Sequence, residues 1–276
     1  MDANLPANLL LEQLPSRFWG QLTPLAGGYT NRCWRLDTPQ GCYWLRQGSP
    51  HAQALGINRE HELRAHQAAA QAGLAPKVHF AEPQRGLLLL DWLTESDWLQ
   101  APGDVNTLMQ SVARLHQLSA TLPLLDLSAQ AAHYCRQLIP LAPELAGYIP
   151  YFAQSALNLP FHPVLCHHDI NAANVLGKRP WLLDWEYAAY GDAAFELAVI
   201  SDSFNLNAAQ QQALLAAYNL AGGKVSEVRF QARLPWVQWL TALWAALQYQ
   251  QTAKAEYLDM QQQALIKLAK LVMGEG

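Results

Sequence analysis

Charged residues are scarce in this sequence. They make up 14% of the 276 residues, whereas soluble domains usually carry about 25%. The net charge is −4, and the chain contains no extended run of lysine or arginine. A basic surface for nucleic acid is therefore not expected. In such a chain, a local cluster of charged side chains calls for a chemical explanation.

Cysteine pairs and long apolar runs are also missing. The four cysteines form no CxxC pair and no metal-ligand spacing, so we expect reduced thiols, as in cytoplasmic proteins. No apolar run approaches the ~18 residues of a transmembrane helix. The first residues, MDANLPANLLLEQLPSRFWG, lack the basic start and apolar core of a signal peptide. We expect a cytoplasmic protein without a membrane partner.

Strand patterns are confined to the N-terminal part of the chain. Strands are predicted at Cys33–Asp37 and Cys42–Arg46, on either side of the turn TPQG, and a hairpin in VHFAEPQRGLLLLDWL. Between them, INREHELRAHQAAAQAGLAP predicts a helix that ends at Gly73. A short helix at 7–19 precedes the strands. The remaining predicted helices follow Leu93; they include 193–203, 207–220, 226–250 and 253–272.

This order predicts an α+β protein with two lobes. Residues 1–92 would form a small N-lobe with an antiparallel sheet and one main helix. Residues 93–276 would form a larger, mostly helical C-lobe. The turn from strand to helix at the junction offers a hinge.

Chemistry concentrates in one stretch, LCHHDINAANVLGKRPWLLDWE, at 165–186. Its segment HHDINAAN fits H-x-D-x-x-x-x-N, the spacing of a kinase catalytic loop. Asp184 follows Asn174 by ten residues, and VLGKRPWLLD predicts a hairpin that brings the two side by side. Carboxylate and amide oxygens suit Mg²⁺, and Asp169 would receive a proton from a hydroxyl. The stretch therefore predicts a phosphoryl-transfer site that uses ATP and Mg²⁺.

Each of these residues, taken singly, is also compatible with a structural role. Asp169 and Asn174 are good loop caps, and Asp184 is a common type of turn residue. The pair His167-His168 raises the alternative of a zinc hydrolase, although no third ligand stands at helical or hairpin spacing. We interpret His167 as a structural support of the catalytic loop.

The N-lobe should supply a nucleotide clamp. The loop GGYTN contains Gly27, Gly28 and Asn31, and its backbone N–H groups are candidates for contacting phosphates. The junction Asp91-Trp92-Leu93 would present backbone groups to adenine, with Asp91 and Leu93 as the candidate residues. The paired glycines are also compatible with a simple turn, and at the junction the sequence alone establishes only that a joint exists.

A phosphate-binding cation should lie on the strand that follows the glycine loop. Arg46, in CYWLRQG, occupies that place, where protein kinases use lysine; arginine also binds phosphate, through a two-pronged guanidinium. For its partner acid on the helix we favour Glu62 over Glu60. A surface arginine and a solvated helix face are the structural alternatives.

The acceptor pocket is predicted from tryptophans and acids. Trp236, Trp239 and Trp244 recur at helix-like spacing, which is also typical of core packing. Together with Glu186 and Asp192 they would form an aromatic and acidic pocket for a cationic ring or a quaternary ammonium group.

Motifs along most of the chain resemble the aminoglycoside phosphotransferase and choline kinase superfamily, whose members have a protein-kinase-like fold. The resemblance rests on LAGGYTN, WLR, QAGLAP, LLLLDWL, LCHHDINAANVL and LLDWEYAAYGDAAFELA. It implies an ATP-dependent kinase of a small-molecule alcohol, with Asp169 as catalytic base and Mg²⁺ on Asn174 and Asp184.

Within the superfamily, DWEYA followed by GD and ELA, and the later RLPWVQWLTALWAALQYQQT, are similar to bacterial thiamine kinases. Choline and ethanolamine kinases more often have Asn-Asp-Pro in place of Gly191-Asp192-Ala193. His168 stands where protein kinases have arginine and no APE motif follows, so no protein substrate is expected. Choline, ethanolamine and aminoglycosides remain alternative acceptors, and a non-catalytic binding module remains an alternative of another class.

Overall fold

The N-lobe is built on one antiparallel sheet of five strands. The computed structural model describes residues 7–25, 31–49, 52, 54–154, 157 and 160–273. The strands are β1 Gln21–Pro24, β2 Arg32–Thr38, β3 Gly41–Gln47, β4 Val78–Glu82 and β5 Leu87–Asp91. Neighbouring strands follow the order β1-β2-β3-β5-β4, with an irregularity in the β4–β5 register. The predicted β2–β3 and β4–β5 hairpins are confirmed, whereas β1 was not predicted.

The two faces of this sheet have different neighbours because side chains alternate along a strand. On one face, Leu10, Leu14 and Phe18 join the buried side chains of Trp34 and Leu45 in a small apolar cluster. The N-terminal helix that contributes to it, α1 (Ala7–Leu11), is shorter than predicted. A turn and a 3₁₀ segment, Ser16–Phe18, replace the rest of the predicted helix; Pro15 at that point cannot donate a helical hydrogen bond.

The other face carries Arg46 toward helix α2, which spans Arg59–Gln71. The side chain of Asn58 caps α2 by accepting hydrogen bonds from the backbone N–H groups of Glu60 and His61. Gly73 follows the helix with φ +69°, a conformation that glycine adopts at low cost. The predicted helix and its end are therefore confirmed.

The C-lobe is mostly helical and holds the larger apolar core. Its helices are α3 Val105–Leu115, α4 Leu127–Gln137, α5 Pro143–Ala146, α6 Ile149–Phe152, α7 Ala193–Ser203, α8 Ala208–Leu220, α9 Glu227–Gln231, α10 Leu234–Thr252 and α11 Ala255–Met273. The prediction of one helix at 226–250 was wrong: α9 ends at Gln231, and a new helix starts at Leu234, with Pro235 in its first turn. The long α10 packs against α4, α7 and α11.

Two small sheets interrupt the helices and flank or carry the polar residues of the stretch 165–186. Strand β6 (Val164–Cys166) pairs with β9 (Ala189–Gly191), and β7 (Val175–Leu176) pairs with β8 (Trp181–Leu182). The β7–β8 pair is the hairpin predicted from the sequence. None of the described helices is both long and apolar enough to be a membrane span.

Candidate active site

The predicted catalytic loop connects β6 to a short 3₁₀ helix, Ala172–Asn174. The side chain of Asn171 caps this helix by accepting from two backbone N–H groups. Asp169 lies in the loop, where Asn171 Nδ2 donates to its Oδ1 at 3.1 Å and Asn174 Nδ2 donates to its Oδ2 at 2.9 Å. Two amides thus hold the carboxylate in one orientation.

Burial raises the pKa of Asp169 to about 7. The hydrogen bond from Asn171 opposes this shift, and the nearby Glu186 carboxylate adds to it. A carboxylate with a pKa near neutrality is a better proton acceptor than an ordinary aspartate. The environment of Asp169 therefore suits a general base.

The β7–β8 hairpin brings Asn174 and Asp184 together. Val175 pairs with Leu182, and the Leu183 N–H donates to the Asn174 carbonyl at 2.9 Å. The next residue along the chain, Asp184, therefore lies beside Asn174 at the open end of the hairpin. The backbone at Asp184 thus lies next to that of Asn174, and a shared ligand role for the two side chains stays a prediction.

Asp184 has the features of an ion ligand. Its side chain is 32% exposed, yet its Oδ1 atom is buried and receives no hydrogen bond from any described residue. Burial, and then repulsion by the Glu186 carboxylate, raise the pKa of Asp184 well above its usual value. Arg46 Nη1, at 3.8 Å, offsets this only in part. A cation bound to Asp184 would contact its Oδ1 atom and would offset the repulsion between the carboxylates of Asp184 and Glu186.

The side chain of Asn174 offers the second oxygen. Its Nδ2 group is committed to the backbone carbonyl and the carboxylate of Asp169, at 3.0 and 2.9 Å. The orientation leaves the Oδ1 of Asn174 without a donor among the described residues. Amide and carboxylate oxygens of this kind are the ligands that Mg²⁺ prefers.

The charge of the site is consistent with a divalent cation. Among the described side chains around the cleft, four carboxylates face two guanidinium groups, which leaves an excess of two negative charges when all are ionised. The donor set and the charge therefore both fit one Mg²⁺. The four carboxylates are those of Glu62, Asp169, Asp184 and Glu186, and the two guanidinium groups are those of Arg46 and Arg59.

Arg46 on β3 and Glu62 on α2 form a buried ion pair with two parallel contacts. Arg46 Nη1 donates to Glu62 Oε1, and Arg46 Nη2 donates to Oε2 at 2.8 Å. Burial alone would raise the pKa of Glu62, but Arg46 and then Arg59 hold it well below its usual range. Glu60 is exposed on the opposite side of α2, so the structure selects Glu62 as the partner of Arg46.

Of the other residues predicted to contact the nucleotide, Asn31, Asp91 and Leu93 are described by the structure. Gly27 and Gly28 lie outside the described residues. Asn31 is described and buried, and its side chain contacts Glu186 and Arg59. At the hinge, the Asp91 N–H donates to the Lys77 carbonyl at 3.1 Å.

The backbone carbonyl of Asp91 and the N–H of Leu93 are thus the remaining hinge groups to consider for adenine. The Asp91 carboxylate is itself engaged, at 2.6 Å, by His79 Nε2.

His167 links the predicted catalytic loop to the end of the β7–β8 hairpin. Its Nε2 lies 2.8 Å from the Leu183 carbonyl, to which it must donate, so its Nδ1 is free to accept the Asp169 N–H at 3.2 Å. Burial lowers the pKa of His167 to about 3, which keeps the ring neutral. Its nitrogens are therefore both occupied by protein groups.

Because both ring nitrogens of His167 are hydrogen-bonded to protein groups, His167 is a poor candidate for the zinc ligand considered from the sequence. A cluster of possible ligand atoms does exist at Cys166, His168 and Glu196, all within 4.8 Å of one another. Both oxygens of Glu196 nevertheless accept backbone hydrogen bonds, from the N–H groups of His167 and His168 at 3.0 and 2.7 Å. Glu196 therefore holds the loop through both of its carboxylate oxygens.

Replacing Glu196 with alanine is expected to weaken this anchor. Alanine offers no acceptor, so both buried loop N–H groups would lose their partner, and each buried donor without a partner costs about 1–3 kcal/mol. Burial raises the pKa of Glu196 to about 7, so removing its charge offsets only part of this cost. Urea denaturation should show the remaining loss, whereas Glu227→Ala, at an exposed glutamate on α9, should change the free energy of unfolding much less. Equal stability of the two variants would contradict the role given to Glu196.

The acceptor residues predicted from the sequence separate into two groups. Trp236 has no exposed surface and Trp239 is 4% exposed; Trp239 stacks on Phe152 with ring centroids 4.2 Å apart. Both tryptophans pack in the core. Trp236 has no surface with which to contact an acceptor, and Trp239 has almost none. Trp244 is half-buried, and its Nε1 donates to the Tyr187 hydroxyl at 2.8 Å.

The two predicted acceptor acids are also engaged elsewhere. Asp192 caps α7 and pairs with Arg229 and Arg233, at 3.1 and 2.7 Å. Glu186 pairs with Arg59 at 2.9 Å. The sequence pattern counted both acids as negative charge for a cationic acceptor, but it could not show the arginines that neutralise them.

Arg59 and Tyr187 were not identified from the sequence. Arg59 is the first residue of α2, three residues before Glu62, and this i, i+3 spacing is the signal that would have pointed to it. Tyr187 directly follows Glu186 in the DWEY segment. Both lie among the charged residues of the cleft.

Comparison with known proteins gives consistent results. A profile of a phosphotransferase enzyme family, APH, matches residues 21–234. Thiamine kinase from Escherichia coli O81 (strain ED1a) is 28% identical over 288 residues, covering 94% of this chain and 97% of that protein.

Two solved structures show the same fold. A choline/ethanolamine kinase family protein from Mesorhizobium loti superposes with a TM-score of 0.78 at 24% identity, covering 96% of this chain and 93% of that one. LicA in complex with AMP superposes with a TM-score of 0.80 at 17% identity, covering 96% and 98%. The two-lobed, kinase-like fold expected from the sequence is thereby confirmed.

Proposed function

Because the chain belongs to the phosphotransferase enzyme family, and is thus a small-molecule kinase, we propose that it transfers the terminal phosphoryl group of ATP to the hydroxyl of thiamine. The products would be thiamine phosphate and ADP. The observation that carries the proposal is the convergence of Asp169, Asn174 and Asp184 at one end of the β7–β8 hairpin.

Asp169 would orient the acceptor hydroxyl and take its proton. The hydroxyl oxygen forms the new bond to the γ-phosphorus while the bond to the β–γ bridging oxygen breaks, and ADP leaves with that electron pair. Asn171 and Asn174 hold the carboxylate for this step. Fixed orientation of this kind supplies a large part of the rate enhancement in phosphoryl transfer.

Asp184 and Asn174 would hold Mg²⁺ through the carboxylate and the amide Oδ1. When bound, the ion neutralises charge on the phosphate oxygens. Arg46, fixed by Glu62, would contact the phosphates from the N-lobe side. The loop with Gly27 and Gly28 would cover the phosphates.

At the hinge, the Asp91 carbonyl and the Leu93 N–H would meet the adenine edge. The resemblance to LicA, whose structure contains AMP, supports the use of a nucleotide. A cytoplasmic location stays a prediction, as does the lobe boundary between residues 92 and 93.

Thiamine as the acceptor is supported by relatives that are thiamine kinases and that match this chain along nearly their whole length. Trp244 and Tyr187 provide an aromatic surface near the catalytic carboxylate: the charges of Glu186 and Asp169 both act on the Tyr187 hydroxyl. A thiazolium ring is a flat cation, and such a surface attracts it through cation–π interaction. Choline is the second candidate because the M. loti structure belongs to a choline/ethanolamine kinase family.

A coupled assay of ADP release with Mg·ATP tests the acceptor. We expect thiamine to give the highest kcat/KM among thiamine, choline, ethanolamine and an aminoglycoside. Phosphorylated thiamine should be identified as the product. A higher kcat/KM for choline would replace thiamine in the proposal, and nucleotide binding without turnover of any acceptor would favour a binding module.

A further inference from the structure

Three buried side chains from separate parts of the chain meet at the mouth of the cleft. Asn31 is the last residue of the GGYTN segment, Arg59 is the first residue of α2, and Glu186 lies two residues after Asp184 in the C-lobe. Asn31 Nδ2 donates to Glu186 Oε2 at 2.8 Å, and Arg59 Nη1 donates to the same oxygen at 2.9 Å. Arg59 Nη2 closes the triangle on Asn31 Oδ1 at 2.8 Å.

We propose that Asn31, Arg59 and Glu186 form an inter-lobe latch that positions the N-lobe over the nucleotide phosphates. The proposal rests on the proposed use of ATP at this cleft, and it makes Arg59 a positioning residue. Arg59 is assigned no contact with the acceptor or the reacting atoms. Glu186, predicted from the sequence to bind the acceptor, instead joins the two lobes.

Burial makes the latch energetically significant. Asn31 and Glu186 are 9% and 7% exposed, and the side chain of Arg59 is 9% exposed. Exposed ion pairs contribute little, but removing one partner of a buried pair leaves an uncompensated charge. Without Arg59, the carboxylate of Glu186 would remain buried close to the place of the phosphates.

The position of the latch connects it to the nucleotide. The backbone N–H of Ser49, just after β3, also donates to Asn31 Oδ1, at 3.2 Å. Cys33, two residues after Asn31, pairs in the sheet with Arg46. Arg59 also donates to Glu62, the partner of Arg46, at 2.8 Å. The latch thus sets the position of Asn31 relative to Arg46 and to the segment that carries Asp184.

Gly48 leaves the space that the guanidinium of Arg59 occupies. A Cβ atom at residue 48 would lie 2.8 Å from Arg59 Nη2 and 2.9 Å from Nε. These atoms form the end of a flexible side chain, so an alanine would displace the guanidinium while the backbone is retained. Gly48→Ala therefore perturbs the latch without removing a charge.

Titration calorimetry with Mg·ADP on the full chain tests the proposal independently of the acceptor. We expect Arg59→Gln to raise the Kd about ten-fold or more, and Gly48→Ala to raise it in the same direction by a smaller factor. KM for Mg·ATP should rise likewise, with KM for the acceptor unchanged. Arg64→Gln, on the exposed side of α2, and Gly147→Ala, at the end of α5, are the matched controls and should leave the Kd unchanged.

A double variant at Arg59 and Glu186 gives a second test, again measured by the Kd for Mg·ADP. Because the double variant Arg59→Gln/Glu186→Gln removes the buried carboxylate together with its arginine, it should bind Mg·ADP no more weakly than Arg59→Gln alone. Single-variant effects that multiply in the double variant, or a lower thermal midpoint with unchanged Kd, would overturn the latch. Failure of the wild-type chain to bind Mg·ADP would overturn both the latch and the proposed function.

Discussion

Replacing Asp169 with asparagine is expected to lower kcat by about 10²–10⁴-fold, the usual scale of an acid–base contribution. The amide cannot take a proton from the acceptor hydroxyl. It also loses one of the two acceptor oxygens that Asn171 and Asn174 use to hold the side chain. Initial rates of ADP release at saturating Mg·ATP and thiamine measure the effect.

The nucleotide site should survive the Asp169 substitution because Asp169 is not assigned a contact with ATP. The Kd for Mg·ADP should therefore stay within a few-fold of wild type while turnover falls. Turnover at the wild-type rate would show that another group accepts the proton. Loss of both turnover and binding would indicate that Asp169 supports the fold instead.

Replacing Asp184 with asparagine should remove activity and Mg·ADP binding together. We expect kcat to fall about 10²–10³-fold or more, the scale seen when one electrostatic contact to the transition state is removed. Without metal, the variant should be as stable as wild type or more stable, because burial and Glu186 already disfavour the charged form of Asp184. Thermal unfolding with and without Mg·ADP measures both effects.

Asp259, an exposed acid on α11, offers the matched control. Asp259→Asn removes the same charge outside the cleft and should retain activity and the stabilisation by Mg·ADP. If Asp184→Asn kept its Mg²⁺-dependent activity, the ion would have to be held by other residues.

Local patterns predicted much of the fold. The turn TPQG between two strand patterns, and Gly73 after a helical pattern, determine their elements through short-range backbone preferences. The β7–β8 hairpin and the neighbouring positions of Asn174 and Asp184 followed from the same kind of reasoning. The chemistry of this stretch is encoded within about twenty residues of sequence, so it could be recognised without the fold.

Features that depend on distant contacts were not predictable in this way. Strands β6 and β9 have three residues each, too short for a periodic signal, and exist because they pair across the catalytic loop. The break before α10 follows from Pro235, which the apolar periodicity of the surrounding residues concealed. Packing of α10 against neighbouring helices decided that Trp236 is a core residue.

Charge pairing was the other source of error. Glu186 and Asp192 were counted as free acids, but each has arginine partners that lie far away in the sequence. The pairing of Arg46 with Glu62 was anticipated because a kinase-like site needs it; the pairing of Arg59 with Glu186 was not. Long-range ion pairs require the fold before they can be assigned.

A crystal structure with Mg²⁺ and a non-hydrolysable ATP analogue tests the central claim most directly. The claim predicts a metal ion about 2.0–2.1 Å from a carboxylate oxygen of Asp184 and from Oδ1 of Asn174, with the γ-phosphate facing Asp169. A nucleotide bound with its metal held by other residues, or with its γ-phosphate directed away from Asp169, would contradict the claim.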